Sequence, residues 1–253
     1  MRGLAGHAMM ASMDVLDTKT SSAAENMRID EQLLSELDPK GEPILHLYRW
    51  DGRSATYGHF IDPAEWFHLD RAASNKLSLG KRPTGGGIVF HIWDLAFSFL
   101  MPASHKAFSL NTLSNYQFVN EVVLEAVKEF FHLESAPTII PVDFEAKSFD
   151  CSRFCMAKPT QYDVVFQGMK IAGAAQRRRR QGYLHQGTIS LGFPDENLLR
   201  DVLRSNEDVI EAMTLYTFSP LGKDFSLQHL EEVRKSLEES LQQKFLEKLQ
   251  RFL

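Results

Sequence analysis

Residues 163–191, DVVFQGMKIAGAAQRRRRQGYLHQGTISL, decide how this chain folds. An apolar run, Val164-Val165-Phe166, meets Gln167-Gly168-Met169 and then a second apolar-small run that begins at Lys170. Two short β-type runs around a glycine-containing turn predict two antiparallel strands in a tight hairpin. Lys170 then stands where the chain re-enters the sheet, not on a solvated helix face. Ala172-Gly173-Ala174-Ala175 carry almost no side chain. Strand positions this small signal either a group lying close against the backbone or a second strand pressed on the first.

Outward from the hairpin, further strands are predicted at 44–50, 54–57, 88–91, 95–101 and 138–141, with the turn Asp51-Gly52 between the first two. Helical spacing of apolar residues marks 23–37, stopped by Pro39, and 110–133, where Val119, Val122, Val123, Ala126, Val127 and Phe130 share a face. Asp62-Pro63 starts a short helix as cap and first helical residue. Beyond Phe193 the chain reads as helical or looped, and Leu227, Leu230, Val233, Leu237, Leu241 and Phe245 step at helical spacing near the end. Strands in runs with helices outside them define an α+β fold, a mixed and largely antiparallel sheet flanked by helices. Strict βα alternation is absent, which disfavours a doubly wound sheet. Residues 1–22 hold four methionines and no amphipathic period, and read as a disordered leader or a mis-chosen start. The expected unit is one domain over 23–253 with a C-terminal helix.

At 253 residues, 43% hydrophobic and 24% charged, the composition is that of an ordinary soluble protein. A net charge of −5 gives no general attraction to nucleic acid or to an anionic membrane. No run is long enough for a membrane span. Cys151 and Cys155 are the two cysteines. Four residues apart, they form neither a disulfide framework nor a complete zinc site, so no metal is expected and the compartment reads as reducing cytoplasm.

Three stretches can carry chemistry. In Lys81-Arg82-Pro83-Thr84-Gly85-Gly86-Gly87, successive glycines can turn backbone N–H groups toward a phosphate or carbonyl oxygen, with Lys81 and Arg82 adding charge. A flexible turn gives the same string. Lys170 can polarise an acyl carbonyl or bind a phosphate, or be a surface hairpin lysine. Cys155 is a potential nucleophile whose thiolate fraction the cations Arg153, Lys158 and Lys170 would raise, or a small buried hydrophobe. Cys151 reads as the latter. Arg177–Arg180 is a solvated strand end or loop, too short a run in an acidic chain to indicate nucleic acid.

Together these residues resemble the lipoate–protein ligase A and octanoyltransferase family of the biotin/lipoate protein ligase superfamily. The glycine loop through Ile88-Val89-Phe90-His91 resembles that family's R-R-x-S/T-G-G-G-x-V-x-H, and G-x-K-I-A-G-x-A-Q with H-Q-G-T-I-S-L resembles its central hairpin. The likeness spans roughly 23–224 and implies the fold of biotin ligases and class II synthetase catalytic domains. It implies that Lys170 is the family's active-site lysine, and that Lys81, Arg82, Thr84, Gly85, Gly86, Gly87, His91, Gly173 and Ala174 border the acyl or nucleotide ligand. His91 is not expected to be catalytic, and His185-Gln186-Gly187-Thr188 is expected to be structural. Arg177–Arg180 would sit beside the acyl pocket as a basic rim for an acidic carrier domain. Cys155 lies fifteen residues before Lys170, matching the cysteine that carries the acyl group in single-domain octanoyltransferases.

The implied activity is attachment of an octanoyl or lipoyl group to the lysine of a lipoyl carrier domain, on 2-oxoacid dehydrogenase E2 subunits or the glycine cleavage H protein. The favoured route is octanoyl transfer from acyl carrier protein through a Cys155 thioester. Little chain follows Asp224 for the accessory domain of many ligases, which favours the same route. Gly87 points the other way: octanoyltransferases usually place an arginine there, and glycine would leave room for ATP and Mg, giving a ligase that acts through lipoyl-AMP. A carrier-binding module without chemistry is the third reading.

Overall fold

Gln167 and Gly168 both adopt positive φ, 52° and 80°. That is the geometry of a two-residue turn whose twist matches its flanking strands, and it joins β8 (Val164–Phe166) to β9 (Met169–Arg179) with Phe166 opposite Met169. A second tight connection, Arg180-Gln181, leads into β10 (Gly182–Ser190), which pairs antiparallel with β9 from Gly182↔Arg179 to Ile189↔Ala172. The structure is a computed structural model that describes residues 11–253 except 134, 143, 144, 146, 147, 149, 194 and 205.

From this hairpin the sheet grows both ways. β10 pairs with β6 (Asp94–Pro102), β6 with β2 (Ile44–Trp50), and β8 with β7 (Thr138–Ile139), all antiparallel. β1 (Asp14–Ser21) closes the far edge, parallel to β2, giving the order β1-β2-β6-β10-β9-β8-β7. The expectation that 1–22 lie outside the fold is therefore corrected for 14–21; residues 1–10 lie outside the described residues. DVLDTKTS is too polar to read as a strand, because an edge strand draws its stability from the ladder with β2 and buries little of its own. Lys19, at φ 63°, sits in the register shift between Asp17 and Thr20, a bulge that spoils the open edge for further pairing.

A second sheet, of order β4-β3-β5, was not expected from the strand pattern. It combines β3 (Ser54–Tyr57), β4 (Ser78–Lys81) and β5 (Ile88–His91). Period-2 alternation reports which face of a strand is buried but not which strand lies beside it, so the division into two sheets left no mark in the sequence.

Every residue of β6 and β10 is buried, because both faces of the large sheet are covered. Leu95, Phe97, Phe99 and Met101 pack on α4 (Thr112–Phe131) and α7 (Leu227–Gln250). On the other face Leu100 meets α1 (Ala23–Glu36), and Ala96 meets Met27 of the same helix. The small sheet packs with α5 (Glu196–Val202) and α6 (Glu207–Tyr216) in a second core. α2 (Pro63–Trp66) has Asp62 accepting from Ala64 N, and α3 (Leu69–Ser74) follows it. Side-chain caps fix the starts of the long helices: Ser22 for α1, Asn111 for α4 and Ser226 for α7. Among the described residues no helix is long and apolar enough to cross a membrane.

Candidate active site

Lys170 is 2% exposed although it follows a surface turn. Its Nζ lies 2.7 Å from Asp163 Oδ2 and donates to the main-chain oxygen of Cys155 at 2.8 Å. The small residues of β9 now have their reason. A Cβ on Gly173 would stand 2.3 Å from Lys170 Cε, 2.5 Å from Nζ and 2.8 Å from Asp163 Oδ1. The group lying against the backbone is thus the lysine itself with its partner carboxylate. Sequence reasoning missed Asp163, although a carboxylate heading a buried apolar run implies a partner. Asp163 Oδ2 also accepts from Thr160 N at 2.6 Å and Thr160 Oγ1 at 2.7 Å.

Cys155 follows a short 3-10 turn, Cys151–Arg153, and its N–H donates to Ile88 O at 3.0 Å. Its side chain meets the glycine loop: a Cβ on Gly86 would be 3.8 Å from Cys155 Sγ and 3.3 Å from Arg82 Nη2. Gly86 holds φ at 86°, a conformation that favours glycine. Arg82 is buried and binds the loop from inside. It donates to Thr56 O and Oγ1 at 3.2 and 2.8 Å and to Gly85 O and Gly87 O at 3.2 and 2.6 Å. Burial lowers the Arg82 pKa against the charge and hydrogen bond of Cys155. Arg82 is thus a cation beside the thiol, one not among those the sequence suggested. Cys151 is buried and donates to Asp208 O at 3.3 Å, as a structural thiol does.

A cavity of about 430 Å³, its open mouth included, joins these groups. Met27, Tyr48, Trp50, Val89, Met156, Ala174 and Ala175 give it apolar walls, while Arg82, His91, Cys155, Lys170, Gln186 and Thr188 bring the polar atoms. A few convergent polar groups in an apolar slot describe a small-molecule site. Thr84 stands behind the wall and donates to Gln186 Oε1 at 2.6 Å. Gly85 has open space around it. Lys81 is exposed and does not line the cavity, because side chains alternate along the strand and Arg82 takes the inward position. Gly87 gives no room to a ligand: a Cβ there would lie 2.1 Å from Arg153 O. The sequence-based inference that Gly87 makes space for a nucleotide loses its ground, since backbone already fills that space.

Two buried polar networks hold the walls, and both went unread in the sequence. In one, Asp30 accepts from Ser98 Oγ at 2.7 Å and Gln186 Nε2 at 2.6 Å and pairs with His46 Nδ1 at 2.8 Å. In the other, Asp94 Oδ2 pairs with His91 Nδ1 and accepts from Thr188 Oγ1, each at 2.6 Å. His91 Nε2 lies 2.8 Å from Thr56 Oγ1, which links the Asp94 charge to Arg82, and Trp50 stacks on the ring. Burial raises the Asp94 pKa, and His91, Arg234 and Thr188 together outweigh it and hold the carboxyl below its usual value. The signal was present: His46 and Ser98 interrupt apolar strands, and buried polar groups require partners.

His185 lies on the far face of β10, between Phe97 and Tyr116, with Nδ1 2.7 Å from Gln176 Nε2. Burial pushes its pKa down to about 3. Burial also raises Tyr116 to about 12, with the Cys155 and Asp163 charges adding to the effect. Of the arginine run, Arg177 donates to Pro83 O at 2.8 Å, and Arg177 and Arg179 approach Glu31 at 3.7 and 3.1 Å. The run ties β9 to the glycine loop and α1. Among the described residues no group of three or more His, Cys, Asp or Glu could hold a metal ion.

The buried lysine and the thiol beside the glycine loop stand together at the apolar slot. The chain belongs to the lipoyl protein ligase A/B catalytic domain family, whose model matches residues 22–220. The octanoyltransferase LipM of Exiguobacterium sp. is 30% identical over 206 residues, 80% of this chain and 74% of its own. The octanoyltransferase LipM of Bacillus subtilis is 27% identical over 201 residues, 78% and 72% of the two chains. The fold is shared with a bi-partite lipoate protein ligase from Thermoplasma acidophilum (TM-score 0.65, 21% identity, 96% of this chain and 91% of that one). It is also shared with lipoate-protein ligase A bound with ATP (TM-score 0.64, 22% identity, 96% and 93%).

Proposed function

We propose that this protein is an octanoyltransferase that acylates the lysine of lipoyl carrier domains through a thioester on Cys155. One observation carries the reading: Cys155 Sγ faces Arg82 and the Gly86 turn while Lys170 grips the Cys155 carbonyl, all at one end of the apolar slot. The relatives named octanoyltransferase support it.

The chemistry follows from the positions. The octanoyl chain lies along Tyr48, Trp50, Val89 and Met156, bringing the donor thioester carbonyl to Cys155. The Cys155 thiolate adds to that carbonyl, the bond to the donor sulfur breaks, and the donor leaves as a thiolate that takes its proton from solvent. The lipoyl-domain amine then adds to the new thioester, the C–S bond breaks, and the departing Cys155 sulfur takes the proton that nitrogen gives up. In both steps the Lys170 ammonium holds the oxygen that becomes negative. The donor is octanoyl acyl carrier protein, and the acceptors are E2 lipoyl domains or the glycine cleavage H protein. We place the protein in the reducing cytoplasm, where Cys155 stays free.

Incubation with octanoyl acyl carrier protein and no ATP is expected to add one octanoyl mass. The adduct is hydroxylamine-sensitive, persists in Cys151→Ser and is lost in Cys155→Ser. Full acylation of a lipoyl domain by Cys155→Ser with ATP, Mg and free lipoate would replace this route with the adenylate one.

A further inference from the structure

Beside the acyl slot lies a second chamber of about 400 Å³, its mouth included, which shares Val89, Met156 and Thr188 with the slot. Met156 follows Cys155 in the chain. Thr217, on the chamber wall, donates from Oγ1 to Met156 O at 2.8 Å and bridges to the backbone of Lys170. The chamber therefore borders the reacting groups without containing them. Phe90, Ile92 and Met213 make much of its wall apolar. Each wall hydroxyl already donates its proton to the protein. Thr217 donates to Met156 O, and Thr188 Oγ1 to Asp94 Oδ2. Ser219 Oγ donates to Gly192 O at 3.0 Å, so Ser190 Oγ is the donor in its 2.9 Å contact with Ser219. A hydroxyl has one proton and two lone pairs, so Thr188, Thr217 and Ser190 have only acceptor capacity left. Asp94 is 6% exposed and lines the chamber, and its Oδ1 has no hydrogen-bond partner among the described residues. Against the push of burial, His91, Arg234 and Thr188 hold this carboxyl below its usual value, as a carboxylate at neutral pH.

We infer that this chamber is the subsite of the acceptor lysine, whose N–H bonds go to Asp94 Oδ1 and Ser190 Oγ beside Cys155. The subsite rests on the acyl-transfer reading above and gives it a place for the second substrate. A buried carboxylate oxygen without a donor is costly, and a ligand rich in N–H relieves that cost. A lysine ammonium has donors and no acceptor, the complement of this wall. Its four apolar carbons suit Phe90, Met156 and Met213. The phosphopantetheine arm of the acyl donor matches the wall less well. Its amide carbonyls would be buried against hydroxyls with no proton left to give, and its phosphate would meet the Asp94 charge. Nucleotide phosphates meet the same charge. The subsite binds only, and adds no covalent step to the transfer.

The two half-reactions separate the possible occupants. Octanoylation of Cys155 by octanoyl acyl carrier protein is timed first, then transfer from the isolated octanoyl-enzyme to a lipoyl domain. Ser190→Ala removes an acceptor without adding bulk, and Met213→Phe narrows the chamber from α6. Both are expected to leave the first rate unchanged and to slow the second at sub-saturating lipoyl domain. For Ser190→Ala the loss is about 10–100-fold, the scale of one hydrogen bond to a charged group. Ser190→Ala carries the test alone should Met213→Phe fold poorly. Unchanged transfer in a folded variant would overturn the inference. Slowed octanoylation with unchanged transfer would also overturn it, giving the chamber to the arm of the donor. Equal slowing of both steps would overturn it as well, since the wall shared with the slot would then be what moved. Failure of the thioester reading shows instead as turnover that survives Cys155→Ser. The chamber is then judged on the KM for the lipoyl domain, expected to rise in Ser190→Ala while the KM for the donor stays.

Discussion

Gly173 shows most directly how one residue serves the chemistry. Its missing side chain is the space in which Lys170 crosses the strand to reach Asp163. Gly173→Ala places a methyl carbon 2.3 Å from Lys170 Cε, and a flexible side chain yields before a buried strand does. The lysine is therefore displaced while the sheet holds. Turnover is expected to drop about 10²–10³-fold, as when an oxyanion donor is removed, with a stability loss of about 1–3 kcal/mol from overpacking. Steady-state kinetics and thermal melts check both, and near-wild-type turnover would remove Lys170 from the site.

At the scale of the element, the glycine loop behaves as three different positions. Gly85 has open space around it, Gly86 requires its positive φ beside Cys155, and Gly87 abuts the Arg153 carbonyl that leads into Cys155. Gly85→Ala is expected to leave melting temperature and turnover unchanged. Gly87→Ala meets Arg153 O at 2.1 Å, and backbone cannot rotate away as a side chain can. It is expected to cost about 1–3 kcal/mol and to slow Cys155 acylation by shifting the turn that carries it. Equal effects of the two alanines would mean the loop acts as a uniform flexible turn.

Across the molecule, the large sheet separates two jobs. One face of β10 gives Gln186 and Thr188 to the cavity, and the other sets His185 among aromatic rings. His185 has a consequence for pH. Its pKa near 3 in the fold lies below the unfolded value of 6.5, so between these pH values the unfolded chain binds the extra proton. Stability is complete above pH 6.5 and declines as pH falls toward 3, at roughly 1.4 kcal/mol per pH unit. The Asp94 carboxyl, held below its usual value, adds a loss in the same direction at lower pH. Denaturant unfolding of His185→Phe between pH 7 and pH 4 is expected to show a flatter dependence than wild type. Parallel curves would show that His185 does not set the acid limb.

The sequence by itself determined the hairpin, the long helices and the identity of the reactive groups. Alternation, helical period and Gln167-Gly168 are local signals that act through their near neighbours. The family resemblance added Lys170, Cys155 and the loop from Arg82 to Gly87, motifs each contiguous in the chain. Tertiary structure alone decided which of these groups meet. It placed Asp163 on Lys170 through a turn, Arg82 rather than Lys81 against Cys155, and Arg153 in the space at Gly87. It also drew 14–21 onto the sheet edge and split the strands between two sheets. The physical reason is common to all of these. A buried charge, a close approach or an edge strand is stabilised by partners distant in sequence, and local pattern carries no record of which partner arrives.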